Sequence, residues 1–140
     1  MNSKLLVAGL VSGIVGFLLG WVFYGMLLMD FMASHTTVYA GLMKEPPFIP
    51  GIFISNLCWG LLFAYIFQKW ANITDFGGGF SAGLIITFLM SLSMDVFQYS
   101  FMNLGDTTMY AVDVVVGTLL GGVMAGAAGM VLGKGNIAAS

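Results

Sequence analysis

The sequence predicts an all-α integral membrane protein: a bundle of four transmembrane helices forming a single domain over residues 1–140. Two observations predict this class. The chain is 59% hydrophobic and 7% charged, with a mean hydropathy of +1.00, whereas soluble domains carry roughly 25% charged residues. The apolar residues also fall into four long segments, each close to the about 20 residues that a helix needs to cross a bilayer.

Charged residues set the ends of the predicted helices. The predicted helices are residues 5–29, 51–68, 80–102 and 108–133, with a short interfacial helix at residues 35–43. The first lies between Lys4 and Asp30, and the second and fourth end at Lys69 and Lys134. All three prolines fall between the first and second helices, so no proline interrupts a predicted span. Transmembrane strands would be shorter than these segments and would alternate in polarity, which these segments do not.

The lysines predict an orientation. Lys4, Lys69 and Lys134 fall at one end of the predicted bundle, and Lys44 falls at the other. Positively charged connections stay on the cytoplasmic side of a membrane. We therefore expect both the N-terminus and the C-terminus to be cytoplasmic.

Two predicted helices carry small residues at helical spacing. They are Gly9, Gly13, Gly16 and Gly20 in the first helix and Gly117, Gly121, Ala125, Gly129 and Gly133 in the fourth. Small residues three or four apart let helix backbones approach closely in lipid. These Gly-rich seams fit either packing within the bundle or packing between copies of the chain. The spacing alone does not distinguish between these two uses.

Two of the six carboxylates lie inside predicted helices. Asp95 comes nine residues before Leu104, and Asp113 comes eight residues after Gly105. An antiparallel hairpin that turns at Leu104–Gly105 places both carboxylates at nearly the same depth, roughly 12 Å below the turn at 1.5 Å per residue. Both also continue the small or polar ridges of their helices, so they are expected to face protein rather than lipid.

We expect a buried polar cluster at this depth. Its predicted members are Tyr24, Asn56, Asp95, Gln98 and Asp113. A buried carboxylate in lipid costs several kcal/mol unless it is paired or protonated, and no lysine or arginine is expected at this level. One interpretation is a hydrogen-bonded cluster that specifies helix register, with at least one acid protonated. The other is a site at which the two acids share a proton or a cation.

A second group combines methionine with the single histidine. Met26, Met29, Met32 and His35 are each three residues apart. Thioether and imidazole ligands suit Cu(I), so these four residues are candidate metal ligands. A three-residue spacing walks around a helix, however, and methionine is also a flexible apolar filler, so packing is the alternative.

Several function classes are excluded. The chain has no arginine and a net charge of −2, so no basic patch exists to meet nucleic acid. Gly77–Gly79 is not followed by the lysine and hydroxyl residue of a phosphate-binding loop. With one histidine and one cysteine, Cys58, we expect no catalytic residues, no enzymatic activity and no cofactor. The expected partners are the lipid bilayer and either further copies of the chain or a larger membrane complex.

Three stretches carry a resemblance to a known family. LGWVFYG at 19–25, LLFAYIFQKWANITDFGGGFSAG at 61–83 and VDVVVGTLLGG at 112–122 resemble an uncharacterised family of small four-helix bacterial inner-membrane proteins. The resemblance implies four helices and location in the inner (plasma) membrane. That family carries no assigned activity, so no functional residue is transferred from it.

Two functions are therefore expected from sequence. The first is a structural or accessory membrane protein, such as a subunit of a larger assembly. The alternative is a small proton- or cation-coupled transporter that uses Asp95 and Asp113. Four short helices would have to oligomerise to enclose a transport pathway.

The predicted orientation can be tested by thiol labelling in a Cys58→Ser background. A cysteine at Ala40 is expected to react with a membrane-impermeant reagent added outside cells, and a cysteine near Ser140 is expected to stay unlabelled. The reverse pattern would overturn the orientation and move the two aspartates to the cytoplasmic half of the membrane.

Overall fold

The computed structural model describes residues 2–137, and these are predominantly helical. The helices are α1 (Ser3–Gly20), α2 (Met29–Ser34), α3 (Ile49–Ile66), α4 (Phe76–Phe101) and α5 (Thr107–Ile137). α1 continues as a π-helix through Trp21–Leu27, and α3 continues in the same way through Phe67–Ala71. Four helices are long and apolar enough to cross a membrane: Ser3–Leu27, Ile49–Ala71, Phe76–Phe101 and Thr107–Lys134. Within the described range, no strand forms beyond an isolated bridge between Thr36 and Gly105.

The helix boundaries depart from the predicted ones where capping residues act. α4 starts at Phe76 rather than at residue 80, because the Asp75 side chain accepts a hydrogen bond from the Gly78 amide at 2.7 Å. This cap satisfies one of the free amides of the first turn. In the same way, Asp106 accepts from the Met109 amide at 2.8 Å and holds the first turn of α5. α3 begins two residues early, with Pro50 in its first turn, where proline is tolerated.

The predicted interfacial helix at residues 35–43 is wrong. The short helix in this connection is α2, which ends at Ser34, and residues 35–43 are irregular. Side chains compete for the carbonyls at its end: the Thr36 hydroxyl donates to the Met32 carbonyl at 2.6 Å. The backbone that follows then pairs with residues 104–106 instead of continuing as a helix.

α5 is the central helix of the bundle. It packs against α1, α3 and, most extensively, α4, while α1 and α3 form a second close pair. The apolar core lies towards the end of the bundle that carries residue 3, the 72–75 connection and the end of α5, here called the termini end. Its members are Leu5, Ala8, Phe63, Ala64, Phe67, Met124, Ala125, Ala128 and Leu132. The opposite end, formed by residues 28–48 and 102–106, is called the loop end.

Glycine lets the backbones of α1 and α3 touch. A Cβ atom built on Gly60 of α3 would lie against the carbonyl oxygen of Gly9 and 2.6 Å from the amide nitrogen of Gly13. Backbone atoms cannot move aside as a flexible side chain can, so no larger residue fits there. The seam is open at its other end, because a Cβ on Gly20 would meet nothing within 4 Å.

We expect Gly60→Ala to lower the melting temperature of the detergent-solubilised protein. The added methyl overlaps backbone on the facing helix, and overpacking of this kind typically costs about 1–3 kcal/mol. Gly20→Ala is the matched control and should leave stability unchanged or slightly raised, since alanine is about 1 kcal/mol better than glycine in a helix. Equal melting temperatures for the two variants would show that α1 and α3 do not pack at Gly60.

Candidate functional site

A ladder of small residues joins α4 to α5. Each step of four residues along α4 meets a step of four residues in the opposite direction along α5. The facing pairs are Gly79 with Gly129, Gly83 with Ala125, Thr87 with Gly121 and Ser91 with Gly117. The Thr87 hydroxyl shares its one hydrogen between Gly83 O at 2.6 Å and Thr118 O at 3.1 Å, and so holds the register at the centre of the ladder.

Asp95 and Asp113 form the next step of the ladder. Their carboxyl groups lie within hydrogen-bonding range of each other. Asp95 is only 6% exposed, and its Oδ2 atom is buried without a donor from any N–H or hydroxyl group. Four residues separate this step from the Ser91–Gly117 step on both helices, so the same register that packs the small residues also brings the two acids together.

Tyr24 of α1 is the third member of the cluster. Its hydroxyl donates a long hydrogen bond, 3.5 Å, to the backbone carbonyl of Asp113 and also lies near the Asp113 carboxyl group. α1 is held against α5 by Ser12, whose buried hydroxyl donates to Met124 O at 2.7 Å. Tyr24 follows about three turns later, inside the π-helical segment. Short π-helical segments often occur at functional sites.

Tyr110 completes the cluster and was not among the predicted site residues. It lies three residues before Asp113 on α5, is 6% exposed, and has a buried hydroxyl without a hydrogen-bond partner. It interacts electrostatically with both carboxyl groups, and its ring packs edge-on against Tyr99 with centroids 5.8 Å apart. The sequence signal that could have identified Tyr110 is its spacing from Asp113, because residues three apart share a helix face.

The two predicted amides do not join the cluster. The Asn56 side chain donates to Ile52 O at 2.9 Å, and its Oδ1 atom lies beside Gly16 of α1. Asn56 therefore faces α1, because α3 packs on the α1 side of the bundle and away from α4. Gln98 lies nearly one turn beyond Asp95, but neither amide is among the groups that act on Asp95 or Tyr24.

The predicted copper ligands do not assemble into a site. Met26 and Met29 are 67% and 61% exposed. The His35 Nδ1 atom lies 2.9 Å from both Ser34 Oγ and Phe31 O, and its Nε2 atom lies 3.9 Å from Asp106 Oδ2. Both imidazole nitrogens thus face oxygen atoms. Among the described residues, no group of three histidine, cysteine, aspartate or glutamate residues could hold a metal ion.

The contact between the two acids has a chemical requirement. Two ionised carboxylates held together in an apolar bundle repel each other strongly, because the interior dielectric is low. The described lysines lie at the termini end or, for Lys44, in the loop, so none of them pairs with the acids. A proton or a small cation between the oxygens relieves the repulsion.

The fold defines a class, that of multi-pass membrane proteins with four apolar helices. Comparison of the chain with protein-family models, curated proteins and solved structures finds no match. Function is therefore inferred from the chemistry of the acid pair and its surroundings.

Substitutions at Asp95 are expected to separate shape from hydrogen bonding. Asp95→Asn keeps the shape and supplies an N–H donor to Asp113, so its melting temperature in detergent should stay close to that of the wild type. Asp95→Leu leaves the half-buried Asp113 carboxyl without its partner and should cost about 1–3 kcal/mol. Asp30→Asn, at an exposed acid of α2, is the control and should have no effect. A leucine variant as stable as the wild type would show that the two acids do not stabilise each other.

Proposed function

We propose that this protein is a multi-pass inner-membrane (plasma-membrane) protein in which the Asp95–Asp113 pair reversibly binds a proton or a monovalent cation, as the coupling site of a small transporter. The observation that carries the proposal is that the two carboxyl groups occupy the same step of the ladder and are close enough to interact, beside a buried Asp95 oxygen that has no donor. Ionisable residues inside spanning helices are costly and typically mark ion or proton pathways.

Electrostatics makes such a pair suited to exchange. With one proton or cation bound, the site carries a net charge of −1 shared by two carboxyl groups, and the Tyr24 hydroxyl lies near the Asp113 carboxyl group. Loss of that proton or cation leaves two negative charges in contact, which a low-dielectric surrounding strongly disfavours. Release is therefore favoured when another cation takes its place, or when entering water accepts the proton and solvates the second charge, and this exchange is the coupling that a transporter needs.

The chemistry around the pair does not resemble that of a hydrolytic site. The groups that interact with the carboxyls are the phenols Tyr24 and Tyr110, which are weak acids rather than activated nucleophiles. We propose a non-enzymatic role without a cofactor.

A second candidate is a subunit of a larger membrane assembly or of a homo-oligomer. The observation that favours it is the placement of α4, which packs chiefly against α5. Large side chains along its outer face, such as Ile85 at 64% and Phe97 at 63%, are exposed. One copy of the chain therefore covers the acid pair from the α1 and α5 sides and leaves α4 available to a partner or to lipid. The resemblance to small four-helix inner-membrane proteins fits either candidate.

Reconstituted protein provides the test of the first candidate. Proteoliposomes that contain a pH-sensitive dye and carry an imposed proton gradient are expected to show proton flux that depends on the protein. Asp95→Asn and Asp113→Asn should each abolish this flux, because each removes one of the two exchangeable carboxyls. Asp30→Asn removes a carboxylate elsewhere and should retain wild-type flux.

Two results would decide against this candidate. One is flux that survives both substitutions in properly inserted protein. The other is a wild-type protein without flux under proton, sodium or potassium gradients, together with chemical cross-linking that recovers it in a complex. That combination favours the subunit role.

A further inference from the structure

A short segment lies across the turn that joins α4 to α5. Residues 35–39, here called the strap, follow α2 and pair with residues 103–106 of the turn. The Thr37 amide donates to Leu104 O at 2.6 Å, and the Asp106 amide donates to His35 O at 3.1 Å. The Tyr39 hydroxyl donates to the carbonyl of Asn103. The strap thus ties the connection after α1 to the α4–α5 hairpin at the loop end.

The strap also covers the first turn of α5. The Thr36 hydroxyl, which donates to Met32 O, also lies 3.1 Å from the sulfur of Met109, and Met109 is buried. Tyr110 follows Met109, and Asp113 lies one turn below. The unpartnered hydroxyl of Tyr110 therefore belongs to a column of buried groups that runs from the strap to the acid pair.

The opposite direction is closed to water. Below the acid pair, the ladder brings α4 and α5 into backbone contact, as at Gly79, where a Cβ would lie 2.5 Å from Ala125 O. Beyond it lies the apolar core, in which Leu5, Phe63 and Phe67 are fully buried. In the ladder the Thr87 hydroxyl is already bonded to a backbone carbonyl, and the core beyond it is lined by apolar side chains, so this direction offers few polar groups to a hydrated proton or ion.

The loop end, in contrast, carries a polar vestibule. A pocket of about 390 Å³ lies beside the strap. Its lining residues are Ser34, His35, Thr36, Thr37, Asn103, Gly105 and Asp106. Asp106 is 53% exposed at its side chain, so the pocket opens to the surroundings.

From this geometry we infer that the strap is a gate: water and protons reach the Asp95–Asp113 pair from the loop end, past Met109 and Tyr110, when the strap lifts from the α4–α5 turn. The inference rests on the proposed function for its role, but the access route can be measured separately. Two backbone hydrogen bonds, the two hydroxyl contacts and the long His35–Asp106 pair hold the strap. Segments with few contacts and no apolar packing open locally at low cost in free energy.

A reversible cross-link tests the gate. Thr36 and Gly105 face each other across the antiparallel bridge, where facing Cα atoms are about 4.5 to 5.5 Å apart, within the range that a disulfide spans. In a Cys58→Ser background, Thr36→Cys/Gly105→Cys would close the strap when oxidised and free it when reduced. A Cβ on Gly105 would overlap the flexible end of Met109, which can move aside, and would lie 3.2 Å from the His35 carbonyl oxygen, which needs a shift of only a few tenths of an ångström.

The readout is the modification of carboxyl groups by a water-soluble carbodiimide and an amine, located by mass spectrometry. We expect labelling of Asp95 and Asp113 to fall several-fold on oxidation and to return on reduction, while exposed Asp30 is labelled equally in both states. The two single-cysteine variants control for the oxidant. Tyr39→Phe, which removes one strap contact without a cross-link, should raise labelling of the pair and serves if the double variant does not fold.

Several outcomes would overturn the gate. One is that the extent of labelling of the pair changes neither when the disulfide forms nor in the Tyr39→Phe variant. Another is that the water-soluble carbodiimide does not label the pair, and that only an apolar carbodiimide, which enters through lipid, does so. Because the assay needs no ion gradient, strap-dependent labelling in a protein that shows no flux would refute the proposed transport while supporting the gate. Flux together with strap-independent labelling would do the opposite.

Discussion

The close approach of α4 and α5 is the constraint on which the rest of the structure depends. Glycine, alanine, serine and threonine at every fourth position remove the side-chain bulk that would otherwise keep the helices apart, and the Thr87 hydroxyl fixes the register by bonding to both helices. In lipid, where apolar side chains gain little by leaving their surroundings, such backbone proximity and interhelical hydrogen bonding supply much of the association energy. The position of the two acids follows from it, because Asp95 and Asp113 extend the same four-residue rhythm.

The bundle is consequently different at its two ends. Towards the termini end, small residues and apolar side chains exclude water, with Phe63, Phe67 and Leu5 fully buried. Towards the loop end, the steps of the ladder become polar and then acidic, and the tyrosines of α1 and α5 replace the apolar core. This asymmetry suits a site that exchanges a proton or cation with one side of a membrane, since the loop end offers more polar groups than the apolar core at the termini end.

The loop end also joins the two closely packed halves of the bundle. α1 pairs with α3, and α4 pairs with α5; the strap links the first pair to the turn of the second. Tyr24 makes a further link, because it reaches from α1 to the Asp113 backbone. A movement of α1 relative to α5 would therefore act on the acid pair and on the strap together. The π-helical segment that carries Tyr24 places this link at an irregular part of the helix, where backbone hydrogen bonding departs from the α-helical pattern.

The sequence by itself determined the four apolar helices and the equal depth of Asp95 and Asp113. Both depend on local quantities: segment length, helical rise and the short turn between α4 and α5. It did not determine which side chains surround the acids. Asn56 faces α1 because α3 packs there, and Tyr110 enters because the ladder register turns its face towards α4. The strap was missed because residues 36 and 105 are far apart in the chain, and their pairing replaces the short helix that was predicted at residues 35–43. Only the tertiary structure decides such contacts, since they depend on which helix faces meet.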